Sequence, residues 1–392
     1  LTEFYLWLSV GGVLGGIFNV LVAPVAFPRV WEYSIVLALA CLARPWTAER
    51  ATWKAHAFGA AKALALAAGL YWITRDGALP FGLYLLLAAG IVNLLAIALG
   101  REPLWLAACL GGVLLADTVS ELRRTDTLLA TRSFFGAYEV REVQRRAGEF
   151  HVLMHGSTMH GAQATAPESR REPLTYYLRR GPLGKAFEAM EAPAGDRRVA
   201  VVGLGSGTAA AYAAAGDRWT FYEIDPGIER IARDTSLFTY LPGAPADVRV
   251  VLGDARLSLA RAEGELYDMI VLDAFTSDAI PIHLLTLDAL DVYLSRLAPG
   301  GLLAIHTSNR YLDLDAVVAR LAKERGLAAR LGRGPRSQAM KYEIYSTWII
   351  LARSDGDLGP LAGDRRWETP PLRDDVGVWT DDFSSIWSVF RW

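Results

Sequence analysis

Cysteine is nearly missing from this chain of 392 residues, which has only Cys41 and Cys109. Both fall in an apolar N-terminal part, so no disulfide framework and no cysteine-based zinc spacing is available. The rest of the chain has no cysteine from which to read a redox compartment. An excess of one charge is missing too. Forty Lys and Arg stand against 42 Asp and Glu, a net charge of −2, which leaves no basic footprint for nucleic acid. There are only six histidines, and no internal repeat. Apolar side chains are abundant, at 52% of the residues, with a mean hydropathy of +0.22. Most of that excess sits in residues 1–122, and the remainder reads as an ordinary α/β chain.

A membrane-crossing helix needs about 20 mostly apolar residues. Residues 4–27, 79–99 and 103–120 qualify, 55–73 qualify with Lys62 inside, and 33–43 are apolar but short. The expectation is an α-helical transmembrane bundle of four or five spans over 1–122. Gly11 with Gly15, and Gly12 with Gly16, form two overlapping GxxxG spacings, which let helices approach closely within a bundle or between copies. Lys62 should face protein or water, with Asp117 or Glu121 as conceivable partners. The chain opens on Leu1 and no charged segment precedes the first apolar run. That run therefore does not read as a signal peptide, and the chain reads as a trimmed form of something longer. Basic residues tie across the two sides: Arg29, Arg75, Arg123 and Arg124 against Arg44, Arg50, Lys54 and Arg101. They do not set the orientation. The nucleotide site described next favours a multi-pass protein of the inner (cell) membrane with its catalytic part in the cytoplasm.

After Arg123 the pattern changes. Residues 123–190 read as a small β-unit and a connecting helix. Its strands are expected at 134–144 and 149–163 around the turn 145–148, followed by a polar loop at 164–173 and a helix over 174–190. Over 191–392, strands are predicted at 198–203, 219–224, 248–252, 267–273, 301–307 and 346–353. Helices are predicted at 207–215, 226–235, 255–262, 286–297 and 313–325. The middle strands are continuous apolar runs, as strands buried on both faces should be. The alternation predicts a Rossmann-like, doubly wound α/β domain with a mainly parallel sheet. In the tail "WTDDFSSIWSVFRW", Thr380 offers a cap, and Phe383, Ile386, Trp387 and Phe390 follow at helical spacing. They predict a C-terminal helix packed on the protein or lying at a lipid interface.

The stretch "AVVGLGSGTAAAY", residues 200–212, passes from an apolar strand into an alanine-rich segment through Gly203, Gly205 and Gly207. A dinucleotide fingerprint is GxGxxG, but here Thr208 stands where its third glycine would fall. The GxGxG spacing suits a nucleoside bearing an amino-acid-like tail. The second strand ends "FYEID", placing Glu223 where a carboxylate accepts from both ribose hydroxyls and disfavours NADP. The third ends "VLGDA" and the fourth "IVLDAFTSDAIP". They set Asp254 within reach of an adenine amino group and Asp273 beside the reactive centre, since ligands bind outside the carboxyl ends of such strands.

In this order, "VVGLGSGT", "YEID", "GDA" and "YDMIVLDAFTSDAIP" resemble the spermidine synthase (aminopropyltransferase) family, and more closely its bacterial membrane-fused members. The β-unit ending "HGSTMHGAQ" resembles that family's N-terminal β-domain, and the resemblance covers roughly 133–353. It implies a class I methyltransferase-type sheet and transfer of an aminopropyl group from decarboxylated S-adenosylmethionine to an amine or polyamine, with methylthioadenosine released. By resemblance, Gly203, Gly205 and Gly207 line the methionine-like tail, and Glu223 holds the ribose. Asp254 with Ala255 meets the adenine, and Gln163 contacts the donor. Asp273 matches the catalytic aspartate. Either Tyr176 or Tyr177 matches a tyrosine of the amine site, Tyr177 being preferred. Two positions depart from the family. Ser206 stands where an aspartate meets the donor's primary amine, so intact S-adenosylmethionine becomes a possible donor. Asp278 follows Asp273 at a wider spacing than usual, so it either binds the amine or caps the segment before Pro281.

The chemistry expected is an in-line displacement in which Asp273 orients the amine and accepts its proton. The sulfonium leaving group is already charged, so no metal is needed. His151 and His155 share a strand face without a carboxylate or cysteine at metal-site spacing, and His306 in "AIHTSN" reads as a core histidine. Membrane attachment points to a lipid-borne or membrane-delivered acceptor, and soluble relatives suggest a homodimer. The rival readings are a methyl- or aminocarboxypropyl-transferase using S-adenosylmethionine, and a non-catalytic polyamine- or nucleoside-binding sensor or transporter.

Overall fold

A computed structural model describes residues 1–43 and 125–391, except 157, 263, 275–280, 335–341 and 343, together with isolated positions between 61 and 114. It divides into two units, Leu1–Asp126 and Thr127–Trp392. In the first, helix α1 (Thr2–Ala26) is, by length and composition, the one helix among the described residues able to cross a membrane. Its stretch Phe18–Val22 is π-helical. Pro24, two residues on, has no N–H to return to the Val20 carbonyl, which accounts for the widened turn. Helix α2 (Trp31–Leu42) is apolar but short. Around Gly11, Gly12, Gly15 and Gly16 nothing among the described residues would meet an added Cβ within 4 Å. The spans expected at 55–73, 79–99 and 103–120, Lys62 and Cys109 lie outside the described residues. Among the described residues one helix has membrane length, and the rest of the expected bundle lies outside them.

The second unit holds two sheets. Strands β1 (Thr127–Arg132), β2 (Ala137–Arg145), β3 (Gly148–His155) and β4 (Thr158–Ala164) form an antiparallel meander. The single strand expected at 149–163 is therefore two. Gly156, at φ +58°, takes the left-handed conformation that reverses the chain between them.

The larger sheet contains β5 (Arg198–Val202), β6 (Arg218–Glu223), β7 (Asp247–Leu252), β8 (Tyr267–Leu272), β9 (Leu297–His306), β10 (Ala328–Arg333), β11 (Thr347–Ala352) and β12 (Trp367–Glu368). Its order is β12-β10-β11-β9-β8-β5-β6-β7. Strands β5 to β9 are parallel, and β10, β11 and β12 extend the sheet antiparallel. The sheet is thus mixed, and β10 and β12 were not anticipated. Along β5, Val199 and Val201 enter one hydrophobic cluster while Ala200 and Val202 enter the other. A strand buried on both faces needs an unbroken apolar run. From β5 the chain winds outward through β6 to β7, then returns to β8 on the other side. This reversal opens a crevice at the carboxyl ends of β5 and β8, the usual ligand position in such sheets.

Helices α4 (Pro226–Arg233), α5 (Ala255–Arg261) and α6 (Leu287–Arg296) are capped by Asp225, Asp254 and Thr286, which accept from the N–H of Gly227, Leu257 and Ala289. Helix α7 spans Leu314–Glu324. Helix α3 is only Pro182–Ala189, not 174–190. Pro182 at its first position keeps Gly181 extended, so the helix cannot begin earlier. The helix expected at 207–215 is a 3₁₀ turn, Thr208–Tyr212. The chain then turns at Gly216, φ +93°, whose missing Cβ makes room for the Gly195 carbonyl.

The tail is also not an α-helix. Only Trp387–Val389 makes a 3₁₀ turn. The Asp313 N–H donates to the Val389 carbonyl at 2.7 Å, and the Arg391 N–H to that of Tyr311 at 2.7 Å. These long-range bonds draw the tail along residues 311–313 and outcompete its helical periodicity. Phe383, Ile386 and Trp387 stay exposed.

Candidate active site

At the end of β5, Gly203 adopts φ +95°, and a Cβ there would press into the Asp273 carbonyl. Glycine is what lets the β5 and β8 ends converge. The Gly203 N–H donates to the Tyr222 carbonyl at 2.9 Å. The Leu204 N–H donates to Glu223 Oε2 at 2.9 Å, and the Asp225 N–H donates to Glu223 Oε1 at 2.9 Å. Glu223 is buried, and burial raises its pKa against the lowering effect of these backbone donors. Its carboxylate is thus fixed at the tip of β6, with lone pairs left for a ligand.

Asp254 has two tasks. Its Oδ1 caps α5 by accepting from the Leu257 N–H at 2.9 Å, and its Oδ2 lies 3.0 Å from His283 Nε2. Gly203, Gly205, Glu223, Asp254, Ala255 and Asp273 all line one cleft. The meander closes it with Phe135, Tyr138, His155 and His160. Burial lowers the pKa of His155, which favours a neutral imidazole there.

Asp273 stands where the cleft ends. Its side chain is only 4% exposed. Tyr177 donates its phenol to Oδ2, and His306 Nδ1 lies 2.6 Å from Oδ1. Burial, followed by the Asp273 charge, raises the pKa of both Tyr176 and Tyr177. Tyr177 is therefore a proton donor to the carboxylate, not a base. The two tyrosines follow Thr175, at φ +62° the only non-glycine residue with positive φ among the described residues. A β-branched side chain in that conformation is strained. It is held by the Thr175 N–H donating to the Tyr342 carbonyl at 2.7 Å and the Ile344 N–H donating to the Thr175 carbonyl at 3.3 Å.

Beyond Asp273 lies a second cavity of about 530 Å³. Tyr176 and His160 line both cavities, and His306, Ser308, Asp315, Arg310, Arg333 and Arg391 belong to the second alone.

Several predicted residues are not brought into the cleft. The Ser206 hydroxyl turns to Thr208 Oγ1 at 2.8 Å and packs against Gly161. Gly207 faces Leu241. The Gln163 amide is committed to the Arg170 carbonyl, Thr239 Oγ1 and the Thr239 N–H at 2.7, 2.9 and 2.8 Å. Gln163 lines a separate cavity with His151. Asp278 lies outside the described residues. Pairing of β2 with β3 sets Glu142 opposite His151, and with Glu149 they form a cluster whose ligand atoms lie within 4.8 Å. Cross-strand register supplies Glu142, and Glu149 stands two residues before His151 on the same strand.

His306 is buried in the core, as its place near the active edge of the sheet suggests, and what the sequence does not show is its bond to Asp273.

No family model matches the chain. The polyamine aminopropyltransferase of Vibrio vulnificus is 36% identical over 115 residues, which are 28% of this chain and 37% of that protein. The match thus spans little more than a third of that curated relative's length. A probable spermidine synthase from Corynebacterium glutamicum is 17% identical with a TM-score of 0.46, covering 62% of this chain and 90% of that one. The spermidine synthase of Thermotoga maritima is 12% identical with a TM-score of 0.45, covering 64% and 81%. The resemblance carried by the motifs thus has a counterpart in a curated relative named polyamine aminopropyltransferase.

Proposed function

We propose that the chain is an aminopropyltransferase of the spermidine synthase type. It moves an aminopropyl group from decarboxylated S-adenosylmethionine to an amine and releases methylthioadenosine. The observation that carries this reading is the buried Asp273 carboxylate, held by Tyr177 and His306 at the end of a cleft lined by Gly203, Glu223 and Asp254 and adjoining a second cavity. Glu223 takes the ribose hydroxyls, Asp254 and Ala255 the adenine edge, and the Gly203–Gly205 turn the donor tail. The acceptor enters through the second cavity past Tyr176. Asp273 offsets the charge of the amine and aims its nitrogen at the methylene beside the sulfonium. Holding both partners at bonding distance supplies much of the rate. The leaving group departs as a neutral thioether.

The test is mass spectrometry of the nucleoside product, with decarboxylated and intact S-adenosylmethionine as donors. The amine panel includes putrescine and phosphatidylethanolamine vesicles. Methylthioadenosine supports alkyl transfer, and the donor that yields it shows what Ser206 permits. S-adenosylhomocysteine means methyl transfer and overturns the reading. Helix α1 is proposed to attach the enzyme to a membrane, which carbonate-resistant sedimentation checks.

A further inference from the structure

The second cavity has a charge that a diamine does not match. Arg310 follows β9, Arg333 ends β10 and Arg391 lies in the tail, and all three line it. The fold fixes this convergence. The Asp313 N–H donates to the Val389 carbonyl and the Arg391 N–H to that of Tyr311, each at 2.7 Å, and Leu312 bridges to Phe390 between them. Arg391 is thereby set against the residues on either side of Arg310, its Nη1 donating to the Asn309 carbonyl at 3.2 Å. Two of the arginines meet acids that are not among the described lining residues. Arg333 donates to Glu368. Arg391 lies 3.6 Å from Asp313, which Arg373 holds closer, at 3.1 Å. Arg310 is exposed and has no ion-pair partner among the described residues. Each guanidinium has five N–H donors and no acceptor, so these bonds leave donors to spare. Asp315 is the one acid among the described lining residues. It is buried and accepts from the Thr307 hydroxyl, and burial raises its pKa.

We propose that the acceptor is an amine whose far end carries an anionic group, a carboxylate or a phosphate, held by Arg310, Arg333 and Arg391, and that it is not a diamine. This rests on the transferase reading and names the acceptor's class. The amine end reaches Asp273 past Tyr176, and the other end stays in the second cavity. Guanidinium groups bind carboxylate and phosphate oxygens through paired N–H donors. A concave site lined by one sign of charge also concentrates ligands of the opposite sign. The second ammonium of a diamine meets like charge in the same place, which rejects it. The transfer itself is unchanged. The amine nitrogen forms the C–N bond as the C–S bond breaks, the electron pair of that bond goes to sulfur, and the excess proton on nitrogen leaves by way of Asp273 to water. The product is a secondary amine that keeps the anionic group.

The test compares acceptors that differ only at the far end. Methylthioadenosine release by the full-length protein in detergent is measured with butylamine, putrescine and 4-aminobutanoate, which share a four-carbon chain. O-phosphoethanolamine and phosphatidylethanolamine vesicles extend the series to phosphate. The best anionic acceptor should exceed butylamine about tenfold in kcat/KM, and putrescine by more. Turnover of O-phosphoethanolamine assigns a free acceptor, and turnover of the vesicles alone assigns a lipid headgroup. Arg310→Glu should invert the preference between 4-aminobutanoate and putrescine without changing donor KM, and Arg310→Lys should restore it. Arg333→Gln should shrink it. The ratio between acceptors is the readout, because misfolding lowers all rates alike. Putrescine used better than every anionic amine would overturn the proposal and leave aminopropyl transfer standing. So would a ratio untouched by both Arg310→Glu and Arg333→Gln. A readout without turnover is calorimetry of wild-type protein loaded with methylthioadenosine. Tighter binding of 4-aminobutanoate than of putrescine is expected; equal or weaker binding sinks the idea. Wild-type protein that yields no methylthioadenosine from any pair would defeat the transferase reading, and the calorimetry would still decide which charge the second cavity takes.

Discussion

The two cavities that share Tyr176 and His160 are built in opposite ways. The donor cleft takes its key residues from successive strand tips of a parallel sheet: Gly203, Glu223, Asp254 and Asp273. The second cavity takes Tyr176 from the segment before α3, Ser308 after β9, Arg333 from β10, Thr347 from β11 and Arg391 from the tail. The first carries carboxylates suited to hydroxyls, an amino group and a sulfonium. Among its described residues, the second carries three arginines and one acid, Asp315, whose pKa burial raises. Winding order places one set of residues. Antiparallel additions and long-range backbone bonds place the other.

The largest effect expected at the junction comes from Asp273→Asn. Turnover should fall about 1000-fold, while methylthioadenosine binding measured by calorimetry changes less than about threefold. Loss of nucleoside binding would instead assign Asp273 to the donor side alone. Gly203→Ala strikes the donor side directly. Positive φ costs a non-glycine residue about 1–2 kcal/mol, and the clash with the Asp273 carbonyl adds to it. Donor binding should be abolished and the melting temperature should fall by several degrees. Wild-type binding would refute the need for close convergence of β5 and β8.

Tyr177→Phe removes a hydrogen bond to a charged group, worth about 1.5–3 kcal/mol. It should lower kcat at least tenfold and leave donor KM unchanged. A change in donor KM alone would move Tyr177 to the other side of the comparison.

A smaller effect is one of pH. Burial raises the pKa of Glu223 in the folded protein. By linkage, its contribution to folding is present below the unfolded pKa and is lost as pH rises through the folded one. Nucleoside binding has the opposite sign, because ribose hydroxyls donate to the ionised form. Stabilisation by methylthioadenosine, read as a thermal shift, should therefore shrink as pH falls through the raised pKa. Glu223→Gln should remove that dependence; a dependence that survives would show that Glu223 is not the ribose ligand. The smallest effect should come from Trp387→Ser. This side chain is 75% exposed, and stability should change by less than about 0.5 kcal/mol. A large loss of melting temperature would mean that the tail packs as its helical spacing suggests.

Legibility followed the same division. The apolar runs of β5, β6 and β8, and the caps Asp225, Asp254 and Thr286, are local features, so their elements fall within a few residues of expectation. The alanine run after Gly207 has helical propensity but becomes a 3₁₀ turn, because Gly216 must pack against Gly195. The meander brings His155 and His160 to the donor cleft, whereas Gln163 and Ser206 turn away through bonds to Thr239 and Thr208. No spacing in the chain distinguishes these outcomes.

By itself, the sequence determined that a Gly-rich turn and three carboxylates stand at consecutive strand ends. Strand period, burial on both faces and right-handed winding leave few other places for them. Only the tertiary structure decided that Asp273 shares its carboxylate with Tyr177 and His306. Those partners lie 96 and 33 residues away in the chain, and β8, β9 and the strained turn at Thr175 bring them within hydrogen-bond reach.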